Sequence, residues 1–197
     1  MNATVLPAPS ESPSRSPQRP RRPFRWPKLG YSYPVVGLIL AAGIGSFAWV
    51  YSMLASARGI TDVHFRINTA PLTEAGWVIQ SHVAGAITSF SLGLVILFLS
   101  KGSKLHRKLG WTWVVAMTVT TVASFFIREN GQFTWIHSFT ALTAVMLPMG
   151  VAAARMHFAR THARFMTATF LGGAFTAGLF TFLPGRLMWD VLFAMNT

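Results

Sequence analysis

The chain has 197 residues, of which 52% are apolar and only 11% are charged. That leaves too little polar surface to cover a soluble globule of this size, and the absence of cysteine excludes disulfides, Fe–S clusters and thiolate ligands. The formal net charge of +12 does not indicate nucleic-acid binding, because the basic residues cluster at the ends of apolar stretches instead of forming one stripe.

The first 33 residues differ in composition from the rest of the chain. They hold seven of the eleven prolines, interspersed with serine and arginine, and a segment of this kind cannot bury enough apolar surface to fold alone. Residues 1–33 are therefore predicted to form a disordered, basic, Pro-rich cytoplasmic arm. Two roles stay open for it: a topology determinant that contacts anionic lipid, or a tether to a partner protein.

Residues 34–197 are predicted to form one membrane domain built from five long uncharged stretches. The stretches are Pro34–Ala57, Ala75–Ser100, Leu109–Ile127, Asn130–Ala154 and Phe165–Gly185. Each is long enough to cross a hydrocarbon core of about 30 Å, which takes roughly 20 residues as helix. In lipid, only helices and closed barrels satisfy all backbone hydrogen bonds. These stretches do not alternate apolar and polar residues as barrel strands do. The predicted fold class is all-α, an integral membrane bundle of five transmembrane helices.

The charges that flank these stretches predict an orientation. Thirteen Lys and Arg residues lie before the first stretch and in the second-to-third and fourth-to-fifth connections. The other side carries Arg58, Arg66, Arg128 and Arg186, offset by four carboxylates. By the positive-inside rule the N-terminus is cytoplasmic and the C-terminus periplasmic. The predicted location is the bacterial cytoplasmic (inner) membrane, with the lipid bilayer as surroundings.

His82 and His137 are the leading candidates for a functional site. Each lies about two turns inside the outer end of its stretch, the second and the fourth, so the two are predicted to stand at matching depth. Small residues follow on the same face of both stretches. Two imidazoles above small residues suit a planar macrocycle held inside a helical bundle. The pattern predicts a b-type haem with His82 and His137 as iron ligands, and with Arg or Lys side chains near its propionates.

Other interpretations of this first pair stay open. Histidines in membrane helices also form interhelical hydrogen bonds, and the pair could instead contact a quinone. A buried ionisable residue in a span is nonetheless a functional candidate by default.

His106 and His162 form a second, weaker pair at the opposite face. They lie just before the third and fifth stretches, among Lys and Arg residues, and are predicted to be at the level of the lipid headgroups. A second haem or another ligand is one interpretation, and exposed interfacial histidines are the other. His64 and His157 are interpreted as loop residues.

The chain is not predicted to be an enzyme by itself. It has no Walker loop, no dinucleotide fingerprint, no Gly-x-Ser-x-Gly elbow and no His-Glu-x-x-His motif. The predicted function is electron transfer through haem, between a quinol-type donor and a partner complex. The alternative is a cofactor-free accessory subunit that packs against a larger respiratory or photosynthetic membrane complex through its arm and aromatic faces.

Short motifs between Gly76 and Phe193 also carry a family resemblance. They are Gln80-Ser81-His82, Leu105 to Trp111, Ser124 to Ile127, Ile136-His137, His162 to Met166, and Gly178 to Met188. In these residues the chain resembles the bacterial multi-pass membrane proteins catalogued as domain of unknown function 2306. The resemblance implies a compact helical membrane domain and no settled activity. The pairing of the stretches also looks like the topology of cytochrome b561-like proteins, a likeness of topology alone.

Overall fold

The computed structural model of the protein describes residues 33–60, 63–128 and 131–195. Its elements are α1 (Tyr33–Ala57), β1 (Val63–Phe65), α2 (Ala70–Glu74), α3 (Gly76–Phe98), α4 (Lys104–Phe126), α5 (His137–Arg155), α6 (Ala159–Ala168), a π-helix (Thr169–Thr176), α7 (Ala177–Phe180), α8 (Leu187–Leu192) and β2 (Phe193–Met195). Apart from Tyr33, the predicted N-terminal arm lies outside the described residues.

Four of the helices are long and apolar enough to cross a membrane: α1, α3, α4 and α5. They overlap the first four predicted stretches, so a mostly helical, multi-pass membrane fold is confirmed. The region of the fifth stretch is a continuous helical run from Ala159 to Phe180, but the π-helix divides it into three elements. It ends before Pro184-Gly185.

The tightest packing joins α3 to α4. Gly85 lies so close to Thr120 of α4 that a Cβ on the glycine would collide with the threonine side chain. The indole N–H of Trp113 donates to the carbonyl of Ser89, at 2.8 Å, and the Ser89 side chain is fully buried. Small residues on α3 therefore let the two backbones approach closely. The apolar core beside this contact consists of Val36, Trp113, Met117, Leu147, Phe170 and Leu171.

Two helices begin at residues that the apolar pattern does not predict. α4 starts at Lys104, before the predicted Leu109, because the Ser103 hydroxyl caps it by accepting a hydrogen bond from the His106 N–H at 3.0 Å. α5 starts at His137, whereas the fourth stretch was predicted to start at Asn130. His137 is therefore the first residue of its helix, while His82 lies six residues into α3. The expectation that both lie two turns inside a helix is wrong for His137.

A small sheet closes the end of the bundle where α3 begins. β1 pairs antiparallel with β2, with Val63 opposite Met195 and Phe65 opposite Phe193, and α2 packs against α8. The sequence predicts His64, the central residue of β1, as a loop residue. β1 pairs with β2, which lies more than 100 residues later in the chain, so no local sequence pattern indicates that β1 is a strand.

Candidate functional site

A cavity of about 570 Å³ opens at the end of the bundle formed by the α3–α4 turn (99–103) and the α5–α6 turn (156–158), here called the basic end. This volume is within the range of small-molecule and cofactor sites. Its apolar wall includes Ile96, Leu97, Trp113, Val114, Val151, Met166 and Phe170. Its polar side chains come from three helices and both turns, and they include Lys101, His106, Arg107, Arg155, His157 and His162.

The His106 and His162 rings meet at this cavity. Their centroids are 6.5 Å apart and the ring planes are nearly perpendicular, at 88°. His106 lies in the first turn of α4, whose start is held by the Ser103 cap, and His162 lies in the first turn of α6. Both rings are thus carried by helix starts. The structure brings the second predicted pair together.

The two imidazoles differ in their hydrogen bonds. His162 Nδ1 donates to the carbonyl of Gly150 at 2.9 Å, and this bond leaves the lone pair on Nε2. His106 Nδ1 is buried and has no hydrogen-bond partner among the described residues. A buried polar atom of this kind costs free energy unless something pairs with it. The arrangement is therefore suited to a ligand that binds imidazole nitrogen.

Gly150 holds His162 through close packing as well as through its carbonyl. A Cβ at this position would collide with the Met166 side chain and crowd Cβ of Phe165 at 3.1 Å. The first two turns of α6 therefore lie directly against the α5 backbone. That contact fixes the height of His162 at the cavity.

Positive charge at the cavity is not balanced by nearby carboxylates. Among the described residues, the carboxylates are Glu74 and Asp190, which belong to the opposite end of the bundle. The Lys101 ammonium donates to the last carbonyls of α3, those of Ile96 at 2.7 Å and Leu97 at 3.0 Å. Partial burial there lowers the pKa of Lys101, because desolvation disfavours its charged form. The cavity is thus an apolar pocket with a cationic rim.

His157 sits at the rim in the left-handed backbone region, with φ of 60°. It follows the end of α5, where its N–H donates to the carbonyl of Ala154 at 3.2 Å. A non-glycine residue is uncommon in this conformation. The turn therefore places a third imidazole at the cavity, although sequence analysis interpreted His157 as an ordinary loop residue.

The first predicted pair lies outside this cavity, with His82 on α3 and His137 at the start of α5. His82 Nδ1 donates to the carbonyl of Thr120 at 2.9 Å. His137 Nε2 donates to the carbonyl of Ile127, at 2.9 Å, and its Nδ1 accepts from the Thr134 N–H at 3.1 Å. Both rings thus bind backbone groups at or near the end of α4, which matches the interpretation as interhelical hydrogen-bonding residues. An iron ligand role for His137 would require it to give up one of these bonds.

Two histidines with cations beside them at an apolar cavity are the residue types that would hold a b-type haem. The His106 and His162 ring centroids, 6.5 Å apart, are close enough for the two imidazoles to share one metal ion. Metal-binding histidines usually donate their other ring N–H to a carbonyl or carboxylate, as His162 Nδ1 does to Gly150. Groups of three or more metal-binding side chains are absent from the described part of the chain. Two imidazoles suffice for haem, because the macrocycle supplies the other iron ligands.

Comparison with known proteins adds no further information. No family model, no curated protein and no solved structure matches this chain.

Proposed function

We propose that the protein is a five-span protein of the bacterial cytoplasmic membrane, with its N-terminus in the cytoplasm and its C-terminus in the periplasm. The four membrane-length helices support this topology. We assign the fifth span to the helical run from Ala159 to Phe180. The basic end is then the cytoplasmic end. Membership of the family of unknown function that the motifs resemble is part of the same proposal.

We further propose that this domain transfers electrons through a b-type haem held by His106 and His162. The observation that carries the proposal is the pair of perpendicular imidazoles at an apolar cavity, with ring centroids 6.5 Å apart. The buried His106 Nδ1, which has no partner among the described residues, supports it. It favours the second predicted pair over the first. Ligation by His82 and His137 stays a prediction.

Different residues of the cavity would bind the iron, the propionates and the apolar face of the haem. His106 and His162 would bind the iron, and Lys101 and Arg107, which line the cavity, would pair with the propionates. Trp113, Phe170 and the other apolar residues of the wall exclude water. When bound, haem supplies one-electron chemistry, with a potential that the axial ligands, the burial and the nearby charges adjust.

The test is the absorption spectrum of the full-length protein, purified after expression with haem supplied. We expect a sharp reduced-minus-oxidised band of the b type. His106→Ala and His162→Ala should each abolish it, because a ligand is lost, while His82→Ala should leave it in place.

The same experiment separates the competing interpretations. A band lost in His82→Ala and His137→Ala but kept in the other two variants would move the haem to the first pair and contradict our assignment. Colourless wild-type protein that comigrates with a larger membrane complex would support the cofactor-free accessory subunit. A quinol-type electron donor stays a prediction from sequence.

A further inference from the structure

A second cavity, of about 560 Å³, runs as a groove between α4 and α5. Its residues are Trp111, Val114, Thr118, Thr121, Val122 and Phe125 on α4, and Ala144, Leu147, Pro148, Val151, Ala152 and Arg155 on α5. From Trp111 to Phe125 the helix rises about 21 Å at 1.5 Å per residue. That length exceeds half of a hydrocarbon core of about 30 Å, so one chain of a lipid could lie along it.

The walls of the groove offer no free hydrogen-bond donors in its middle. The hydroxyls of Thr118 and Thr121 donate to carbonyls of their own helix, those of Val114 and Met117, at 2.8 and 2.7 Å. Pro148 has no amide N–H. The remaining residues between the two ends are apolar, so the groove suits a hydrocarbon chain.

One end of the groove carries a cation. The Arg155 guanidinium lies 5.8 Å from the Trp111 ring centroid and lines both the groove and the histidine cavity. The described carboxylates, Glu74 and Asp190, are at the opposite end of the bundle. Basic pockets between transmembrane helices on the cytoplasmic side bind anionic lipid headgroups.

We infer that the α4–α5 groove is a binding site for an anionic phospholipid of the cytoplasmic leaflet. One acyl chain lies along the groove, and the phosphate is held at Arg155. Phosphate pairs well with a guanidinium because both offer bidentate hydrogen bonding. The inference rests on the membrane orientation proposed above and not on the haem.

Native mass spectrometry of the full-length protein tests the inference. The protein would be extracted from vesicles that contain equal phosphatidylglycerol and phosphatidylethanolamine, with a long-chain quinone added. We expect the wild type to retain one phosphatidylglycerol. Arg155→Gln should lower that retention about fivefold, the effect of one cation near a membrane surface.

Two matched controls make the result specific. Arg128 lies over the Phe133 ring, at 4.7 Å, outside the groove, so Arg128→Gln removes a similar cation–aromatic contact and should leave retention unchanged. Ala144→Trp should block the groove, whereas Val145→Trp on the neighbouring exposed position should not.

Three outcomes would overturn the inference: equal retention of the two phospholipids, undiminished retention in both Arg155→Gln and Ala144→Trp, or retention of the quinone in place of lipid. Failure of the haem proposal would show separately, as a missing absorption band in protein that still retains phosphatidylglycerol.

Discussion

At the scale of single residues, the position of one imidazole depends on a glycine in a neighbouring helix. His162 Nδ1 donates to the Gly150 carbonyl, and the missing side chain of Gly150 leaves room for Met166 and Phe165 of α6. The hydrogen bond and the close packing together hold the first turns of α6 against α5. The distance between His106 and His162 is therefore set partly by a residue that does not line the cavity.

Gly150→Ala should separate α6 from α5, because the new methyl group would occupy the space of the Met166 side chain. Overpacking of this kind costs about 1–3 kcal/mol, so we expect a lower thermal midpoint in detergent and weaker haem retention. Gly45→Ala is the control, since nothing lies within 4 Å of a Cβ at that position of α1. A midpoint in Gly150→Ala equal to that of the control would contradict the role given to this contact.

At the scale of elements, the π-helix sets the relative directions of the two ends of the last helical run. Gly172 and Gly173 lie within it, and the Thr176 hydroxyl donates to the carbonyl of Leu171, five residues earlier, at 2.8 Å. On the N-terminal side of this segment His162 faces the cavity. On its C-terminal side Phe180 packs against Trp135, with ring centroids 4.8 Å apart.

Insertion of one alanine between Gly172 and Gly173 should rotate one side of the segment by about 100° relative to the other, because an α-helix has 3.6 residues per turn and the wider π-helical turn already accommodates an extra residue. Either the His162 contact or the Phe180 contact must then be lost, and we expect a fall in thermal midpoint together with loss of the near-ultraviolet circular dichroism of the Trp135–Phe180 contact. Gly172→Ala keeps the residue count and meets only Leu142 Cδ2, at 3.6 Å, so it should behave like the wild type. An insertion variant that keeps both signals would show that the residue count of the π-helix does not set these directions.

The elements also show how far the sequence alone leads. Hydropathy located α1, α3, α4 and α5, because a stretch without charges that is long enough for a bilayer has few other structures available. Hydropathy did not predict that α4 begins as early as Lys104, because the first turns of this helix are charged and such a segment resembles a loop. The π-helix was not predicted either, because hydropathy carries no information on the register of backbone hydrogen bonds.

The candidate site could be predicted only in part, for a related reason. Sequence indicates how deep a histidine lies but not which helices are neighbours around it. His82 and His137 match in predicted depth, and in the structure each binds the backbone of α4 or of the residue that follows it. His106 and His162 were ranked second, although their rings meet. The contribution of Arg155 to two cavities had no signal in the sequence beyond its place among flanking cations.

At the scale of the whole molecule, the proposed orientation puts the two turns of the basic end in the cytoplasm. The natural chain has no cysteine, so single cysteines can report on each side without further substitutions. Thr161 of α6 and Thr73 of α2 are both exposed and lie at opposite ends of the bundle.

A membrane-impermeant maleimide added to intact cells should label Thr73→Cys and not Thr161→Cys. Permeabilised cells should show labelling of both, which confirms that each thiol is accessible. The reverse pattern in intact cells would invert the topology and place the histidine cavity at the outer surface.

The pairing of β1 with β2 has a consequence for biosynthesis. Of the described elements α1 is translated first, but its packing partners, the π-helix and α7, come much later in the chain. β1 likewise waits for β2, which is the last described segment to be translated. The first helix must therefore stay in lipid, or with the insertion machinery, until the final helical run arrives to dock against it.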